Sequence, residues 1–228
     1  MALDWAIRYA PMVSFIRSRR PKSILEVGSG PQGIAYFLTD TRVVGTDIRF
    51  GERPLPNVLP TISSSIALPF RNRSFDLVLS SDMMEHLPEN LRQNAMEEML
   101  RVAVRYVIVG FPSGSTAKTH DMDIMAWLNR WSVKIPVWLS EHLEHDYPTS
   151  KSLLRALPLE SIGYRVESNA NWRIHKVLVA LQTSYYFNWF VKRFRLDNIN
   201  LILSLDRILN RGRTYREIIF LDANNASL

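Results

Sequence analysis

Cysteine is absent from this chain of 228 residues, which excludes disulfides, cysteine-ligated zinc and iron–sulfur clusters. Long apolar runs are absent too: none reaches the roughly 18 to 20 residues that a bilayer-spanning helix requires. The first residues lack the uninterrupted apolar stretch of a secretory leader, because Asp4, Arg8 and Pro11 break it. A cytoplasmic location is the expectation that follows, with peripheral contact at a membrane left open. Histidine is scarce, at five residues, and there are only nine glycines. Basic residues outnumber acidic ones 28 to 22, for a net charge of +6. That balance favours anionic partners such as nucleic acid, phosphorylated metabolites or an anionic membrane, without choosing among them. Apolar residues are plentiful, at 46%, enough for one α/β domain with a substantial core.

The few glycines are not scattered. Three fall within Gly28-Ser29-Gly30-Pro31-Gln32-Gly33, directly after the apolar strand Ile24-Leu25-Glu26-Val27 and before a predicted helix at 32–39. Such spacing lets the backbone turn sharply and bring its N–H groups against a ligand. About 20 residues past the turn, the strand Arg42-Val43-Val44-Gly45-Thr46 ends in Asp47, where a carboxylate can accept hydrogen bonds from both hydroxyls of a ribose. Together they describe a nucleoside-binding βαβ unit. Glu26, just before the turn, would repel a pyrophosphate at the helix N-terminus and suits a cationic or zwitterionic ligand better.

These residues resemble the first motif of the class I S-adenosylmethionine-dependent methyltransferases, usually acid-x-Gly-x-Gly-x-Gly, with one extra residue before the last glycine. The stretch from Ile66 to Pro88, with its Leu68-Pro69-Phe70, Ser74-Phe75-Asp76 and Glu85-His86-Leu87 elements, is similar to the segment running from the adenine loop through the fourth strand in small-molecule members. The resemblance covers residues 22–112. It implies a Rossmann-like, doubly wound, mostly parallel seven-stranded sheet, with S-adenosyl-L-methionine as cofactor. By the same resemblance Gly28 and Gly30 approach the methionine part of the cofactor, Glu26 lies near its amino group and Asp47 holds the ribose. Ser29, Ile48 and Ser81 complete the set. Many relatives carry an aspartate for the adenine amine; here Ser63-Ser64-Ser65-Ile66 stands in its place, so Ser64 and Ser65 are the candidates for a neutral, weaker contact.

Strands are expected at 23–27, 42–46, 57–62, 74–80 and 104–110, a helix at 88–101, a further helix at 151–162, a strand at 164–168 and a last strand at 214–221. The family's last strand enters antiparallel between the fifth and sixth. Helical insertions precede the sixth strand (about 113–150) and the last (about 173–211), where one or two helices are expected. One methyltransferase domain, with its core at 21–112 and 151–221, accounts for residues 1–228.

For the acceptor the residues say less. A covalent route to pyrimidine C5 needs a thiol, which is missing. Ser81-Asp82-Met83-Met84 differs from the Pro-Pro-aromatic signature of the family's amino-methylating nucleic-acid enzymes. His86 could act as general base, since an imidazole titrates near neutrality, or could cap the following helix with Glu85. His142 and His145, spaced to share a helical face, could take a proton from an acceptor. Their carboxylate neighbours also allow metal binding, but no third ligand is fixed and no metal centre is expected. In 174–210, aromatic residues adjoin Lys192, Arg193 and Arg195, a pattern that suits a membrane-interface helix, a lid over an apolar substrate, or a dimer contact. The expected activity is methyl transfer to a small-molecule or lipid-linked acceptor at oxygen. The alternatives are an RNA methyltransferase, for which the scattered basic residues give less support, and a non-catalytic S-adenosylmethionine-binding partner subunit. Oligomeric state is not encoded in any of these features.

Overall fold

The computed structural model describes residues 2–155, 157, 159–160, 162–182 and 184–223. Seven strands form one sheet in the order β3-β2-β1-β4-β5-β7-β6: β1 (Ile24–Val27), β2 (Val43–Asp47), β3 (Val58–Ile62), β4 (Phe75–Ser81), β5 (Ala103–Pro112), β6 (Gly163–Asn171) and β7 (Thr214–Asp222). The first five run parallel. β7 pairs antiparallel with both β5 and β6. This is the Rossmann-like sheet expected, with its reversed last strand in the expected slot.

The central strands are apolar on both faces because helices cover both. Leu77, Leu79, Ile108, Ile218 and Phe220 point into one core, Val78, Val107, Val109, Ile219 and Leu221 into the other. Helix α1 (Ala2–Arg19) closes the first side, burying Tyr9, Met12, Val13 and Ile16. Helix α2 (Glu89–Val102) closes the second with Ala95, Met96, Met99 and Leu100, the i, i+1, i+4, i+5 stripe of a helix lying on a sheet. Glu89 in its first turn suits the positive end of the helix dipole.

The segment before β6 contains α3 (Gly114–Arg130), α4 (Val137–Glu144) and α5 (Ser150–Leu154). A small apolar cluster of Ile124, Leu128 and Leu139 ties α3 to α4. The expected helix at 151–162 is this short α5, with residues 156, 158 and 161 of that range outside the described ones. The segment before β7 forms three helices where one or two were expected: α6 (Trp172–Gln182), α7 (Tyr185–Arg193) and α8 (Ile199–Leu209). Ser184 and Asn198 accept hydrogen bonds from Phe187 N–H and Asn200 N–H and so start the second and third of them. Among the described residues, no helix is long and apolar enough to cross a membrane.

A second correction falls at the glycine turn. The expected helix at 32–39 is a single 3-10 turn, Gly33–Phe37. Asn57 braces the end of this turn: its Nδ2 donates to the carbonyl oxygens of Ala35 and Leu38 at 3.0 Å and Thr41 at 3.2 Å. The Ala35 and Leu38 carbonyls also accept Leu38 N–H and Thr41 N–H, the short-range bonds of 3-10 turns.

Candidate active site

The carboxyl ends of parallel strands leave a crevice where their connections diverge, and ligands bind there. Here β1, β2 and β4 end side by side. The turn after β1 is anchored to β2, since Gly28 N–H and Ser29 N–H both donate to Thr46 O, at 2.8 and 3.1 Å. Gly28 sits at φ +75°, and a Cβ there would lie 2.8 Å from Met83 Cγ, so only glycine keeps this wall open. A cavity of about 520 Å³ results, lined by Gly28, Asp47, Ile48, Ser65, His86 and His145 among others. Its size is that of a small-molecule site.

Asp47 stands at the end of β2, its Oδ2 accepting Gly30 N–H at 2.9 Å. It both braces the turn and faces the cavity. Glu26 does not line that cavity; it lies beneath the turn, 1% exposed. Its Oε2 accepts Ile34 N–H at 2.7 Å and its Oε1 accepts the Tyr9 hydroxyl at 2.8 Å. Burial pushes its carboxyl up to about 7, with those two hydrogen bonds opposing and the Asp47 charge adding. A Cβ on Gly33 (φ +47°) would collide with the Glu26 carboxylate. The last glycine of the motif therefore makes room for an acid, not for a ligand.

The remaining expected cofactor residues divide. Ser29, 6% exposed, donates its hydroxyl to Gly30 O at 2.9 Å and backs the turn. Gly30 contributes its N–H to Asp47 and, like Ser29, is not among the cavity-lining residues. Ser65 lines the cavity and Ser64 does not; Ser63, hydrogen-bonded to Thr46 Oγ1, lines it instead. The two serines alternate because Ser64 is drawn into a bridge with Ala67. Ser81 is buried, donating to Asp82 Oδ2 at 3.1 Å and accepting from Arg216 Nη2 at 3.4 Å.

A second cavity of about 560 Å³ adjoins the first, with Asp82 and His86 in the walls of both. Its polar side carries Asp4, Arg8, Arg216 and His175, and its apolar side Leu128, Trp138 and Val179. Asp82 lies between two guanidinium groups. Arg8 Nη1 donates to its Oδ2 at 2.6 Å, and Arg216 Nη1 donates to its Oδ1. Asp82 is at φ +57°, a strained backbone for a non-glycine residue, of the kind that clusters at sites. Sequence reasoning missed Arg8 and Arg216. Asp82 carried the one available signal, an acidic residue at the end of a parallel strand.

The histidines separate rather than cluster by sequence. α4 ends at Glu144 and His145 is extended (φ −120°, ψ 160°). The two imidazoles therefore do not share a helical face: His142 lines the second cavity, His145 the first. His142 Nδ1 donates to Asp121 Oδ2 at 3.1 Å, and the Tyr147 hydroxyl donates to the same oxygen at 2.6 Å. His86 stands against His142, ring centroids 4.9 Å apart. Burial, then the neighbouring His142, lowers its proton affinity, which keeps it neutral and able to accept a proton near pH 7. Glu85 is 1% exposed and does not cap α2, where no side-chain cap forms. Burial raises its carboxyl to about 8. His120 lines neither cavity but stands directly behind the second, its Nε2 bonded at 2.7 Å to Nδ1 of His175 in that cavity's wall.

A glycine-walled crevice with a strand-end aspartate, over a doubly wound sheet with a reversed last strand, has the form of a Rossmann-like nucleoside site. Residues 25–105 match the family model described as a methyltransferase domain, and the fold around them is that of the class I S-adenosylmethionine-dependent methyltransferases. Solved structures share the fold at low identity. One from Galdieria sulphuraria, provisionally assigned as a sarcosine dimethylglycine methyltransferase, is 16% identical over 96% of this chain and 86% of its own, with a TM-score of 0.55. Magnesium protoporphyrin IX methyltransferase from Synechocystis, with bound S-adenosylhomocysteine, is 11% identical over 95% and 85%, TM-score 0.52. Phosphoethanolamine N-methyltransferase 2 from Haemonchus contortus is 12% identical over 99% of this chain and 57% of its own, TM-score 0.57. No curated protein sequence matches.

The residues fit S-adenosylmethionine. Among the described residues, Asp47 Oδ1 accepts a single long hydrogen bond, from Arg49 N–H at 3.4 Å, which leaves it room to accept from a ribose. No phosphate-binding lysine or arginine fork is needed. Asp47→Ala is expected to weaken S-adenosylhomocysteine binding about 10- to 100-fold, the worth of charge-assisted hydrogen bonds. Titration calorimetry measures it, and an unchanged affinity would remove Asp47 from the site.

Proposed function

We propose that the chain transfers a methyl group from S-adenosylmethionine to an oxygen of a small-molecule or lipid-linked acceptor held in the second cavity. The observation that carries this reading is that His86 and Asp82 line both cavities, so an acceptor in one meets a donor in the other at these side chains. S-adenosylmethionine supplies a methyl group already activated on a sulfonium. The protein's task is alignment, exclusion of water and removal of a proton. His86, with its lowered proton affinity, accepts the hydroxyl proton as the new O–CH3 bond forms. The S–CH3 bond breaks in the same step and its electron pair stays on sulfur. Arg8 and Arg216 orient a polar or anionic end of the acceptor, and Leu128, Trp138 and Val179 hold its apolar part.

Two further observations support an acceptor of this kind. The structures similar in fold include enzymes named for small molecules, among them phosphoethanolamine, which is methylated at nitrogen; they bear on the acceptor's size, not on the atom methylated. On α7, Tyr185 and Tyr186 are 77% and 80% exposed, and Trp189 and Phe190 lie exposed beside Lys192 and Arg193. An aromatic and basic face of this sort suits a membrane surface from which a lipid-linked acceptor is drawn.

Tritiated S-adenosylmethionine, incubated with the protein and a cell extract later separated into lipid, small-molecule and RNA fractions, tests the reading. Label is expected in the lipid or small-molecule fraction. Label only in RNA, or none despite tight S-adenosylhomocysteine binding, would favour the RNA enzyme or the non-catalytic subunit.

A further inference from the structure

We propose that Glu85, His86 and His142 bind one divalent transition-metal ion, with zinc as the best match, in the wall between the two cavities. Glu85 and His86 lie on the 3-10 turn Met84–His86 that follows β4, and His142 comes from α4, an insertion helix. Their ligand atoms all fall within 4.8 Å of one another. His142 Nε2 is 3.7 Å from Glu85 Oε1, too far for a hydrogen bond. It is close to the separation of about 3.4 Å between two ligands with metal bonds near 2.1 Å at a tetrahedral angle.

Glu85 carries the argument. Both its carboxylate oxygens are buried without a hydrogen-bond partner. A carboxyl taken out of water is normally paired, hydrogen-bonded, coordinated to a metal or, failing these, held protonated, and a bound cation would displace that proton. Arg8 and Arg92 do not bond it: Arg8 is committed to Asp82 and Asp4, Arg92 to the backbone oxygens of Met84, Leu87 and Asp146.

The outer groups are arranged as they are around known metal-binding imidazoles. Asp121 accepts from His142 Nδ1 and is itself held by the Tyr147 hydroxyl, which fixes the tautomer and leaves the Nε2 lone pair, facing Glu85, free to ligate a metal. His86 repeats the pattern, its Nδ1 lying 3.4 Å from Glu141 Oε2 and its Nε2 remaining. A carboxylate behind each ligating histidine is the usual support of such a site. Two imidazoles and one carboxylate suit zinc and its neighbours, whereas magnesium and calcium prefer oxygen ligands. A fourth position stays open, as in catalytic zinc sites.

Binding of the ion does not depend on the methyl-transfer reading, but its use does. Facing both cavities, the ion would draw charge from the acceptor's hydroxyl oxygen, so that the proton leaves to solvent and His86 serves as ligand instead of base.

The test uses the purified chain, stripped with a chelator and dialysed against zinc alone, with bound metal measured by atomic emission. A parallel sample takes cobalt(II) as a spectroscopic probe. The wild type is expected to hold one zinc per chain and to give the intense visible bands of four- or five-coordinate cobalt. Glu85→Gln, nearly isosteric, and His142→Ala should each lower zinc affinity by about 100-fold or more. Each should bind S-adenosylhomocysteine as wild type does, which certifies the fold. Zinc absent from the wild type, or bound equally by wild type and both variants, overturns the site. Loss of S-adenosylhomocysteine binding in the wild type would instead sink the methyltransferase reading and leave the metal result standing.

Discussion

Arg216→Ala is expected to lower the unfolding free energy by about 3 kcal/mol, the range seen when one partner of a buried ion pair is removed. Arg216 is 2% exposed and sits on β7 opposite Pro112 of β5. Its guanidinium donates to Asp82 Oδ1, to Asn169 Oδ1 at 3.3 Å and to Ser81 Oγ at 3.4 Å. Alanine leaves all three acceptors facing a void. Arg8 still pairs with the other Asp82 oxygen, which holds the loss toward the lower end of the 3 to 5 kcal/mol typical of such deletions. Arg216→Lys should recover little, because one ammonium cannot reach three acceptors in a fixed fork. Arg216→Met refills the volume while Arg8 still pairs with Asp82, so it should be more stable than Arg216→Ala. Urea denaturation of the set measures this. Arg216→Ala as stable as wild type would show that water already compensates Asp82. The same substitution should raise the KM for the acceptor, since Arg216 lines the second cavity.

That ion pair joins residues 134 positions apart, which is why no pattern in the chain announced it. The legible features were local. A run such as Phe75 to Leu79 reads as a buried parallel strand because neighbouring residues alone carry the signal. The glycine turn was legible because it needs glycine at Gly28, and Asp47 because the end of its strand carries it to the cavity. Where local reading failed, a distant group had intervened. Asn57, some twenty residues on, ties the carbonyls after the turn into short i, i+3 turns in place of the expected helix. Helix α4 stops one residue before His145, so that i, i+3 spacing with His142 no longer means a shared face. Glu26 was expected at the cofactor's amino group by its place in the motif. Only the fold reveals Tyr9 of α1 and Ile34 N–H already occupying its oxygens. Length alone did not reveal the third helix of the 172–209 segment, because the breaks at 184 and 198 rest on single capping side chains.

Glu26 also sets the second large effect, a fall in stability as pH rises from about 4.5 to about 7. In the unfolded chain its carboxyl ionises near the ordinary value of 4.5, whereas burial holds it protonated in the folded protein up to about 7. Between those limits the folded state binds the extra proton. Its contribution is fully present below pH 4.5 and is lost as pH passes through 7, a difference of about 3 kcal/mol by linkage. The whole-protein profile sums several groups of opposite sign. Buried His120, held down to about 4, and His86 and His175, also lowered, add stability as pH rises through the range where unfolded imidazoles lose their protons. Glu26→Gln separates the terms. Its amide oxygen can accept Ile34 N–H and its NH2 can donate to the Tyr9 oxygen, so the packing survives without an ionisable group. The variant should match wild type at pH 4.5 and exceed it by about 3 kcal/mol at pH 8, measured by denaturant unfolding across that span. A gap between the two proteins that stays constant with pH would mean that Glu26 is ionised in the folded state. Its two hydrogen bonds would then have outweighed the cost of burial.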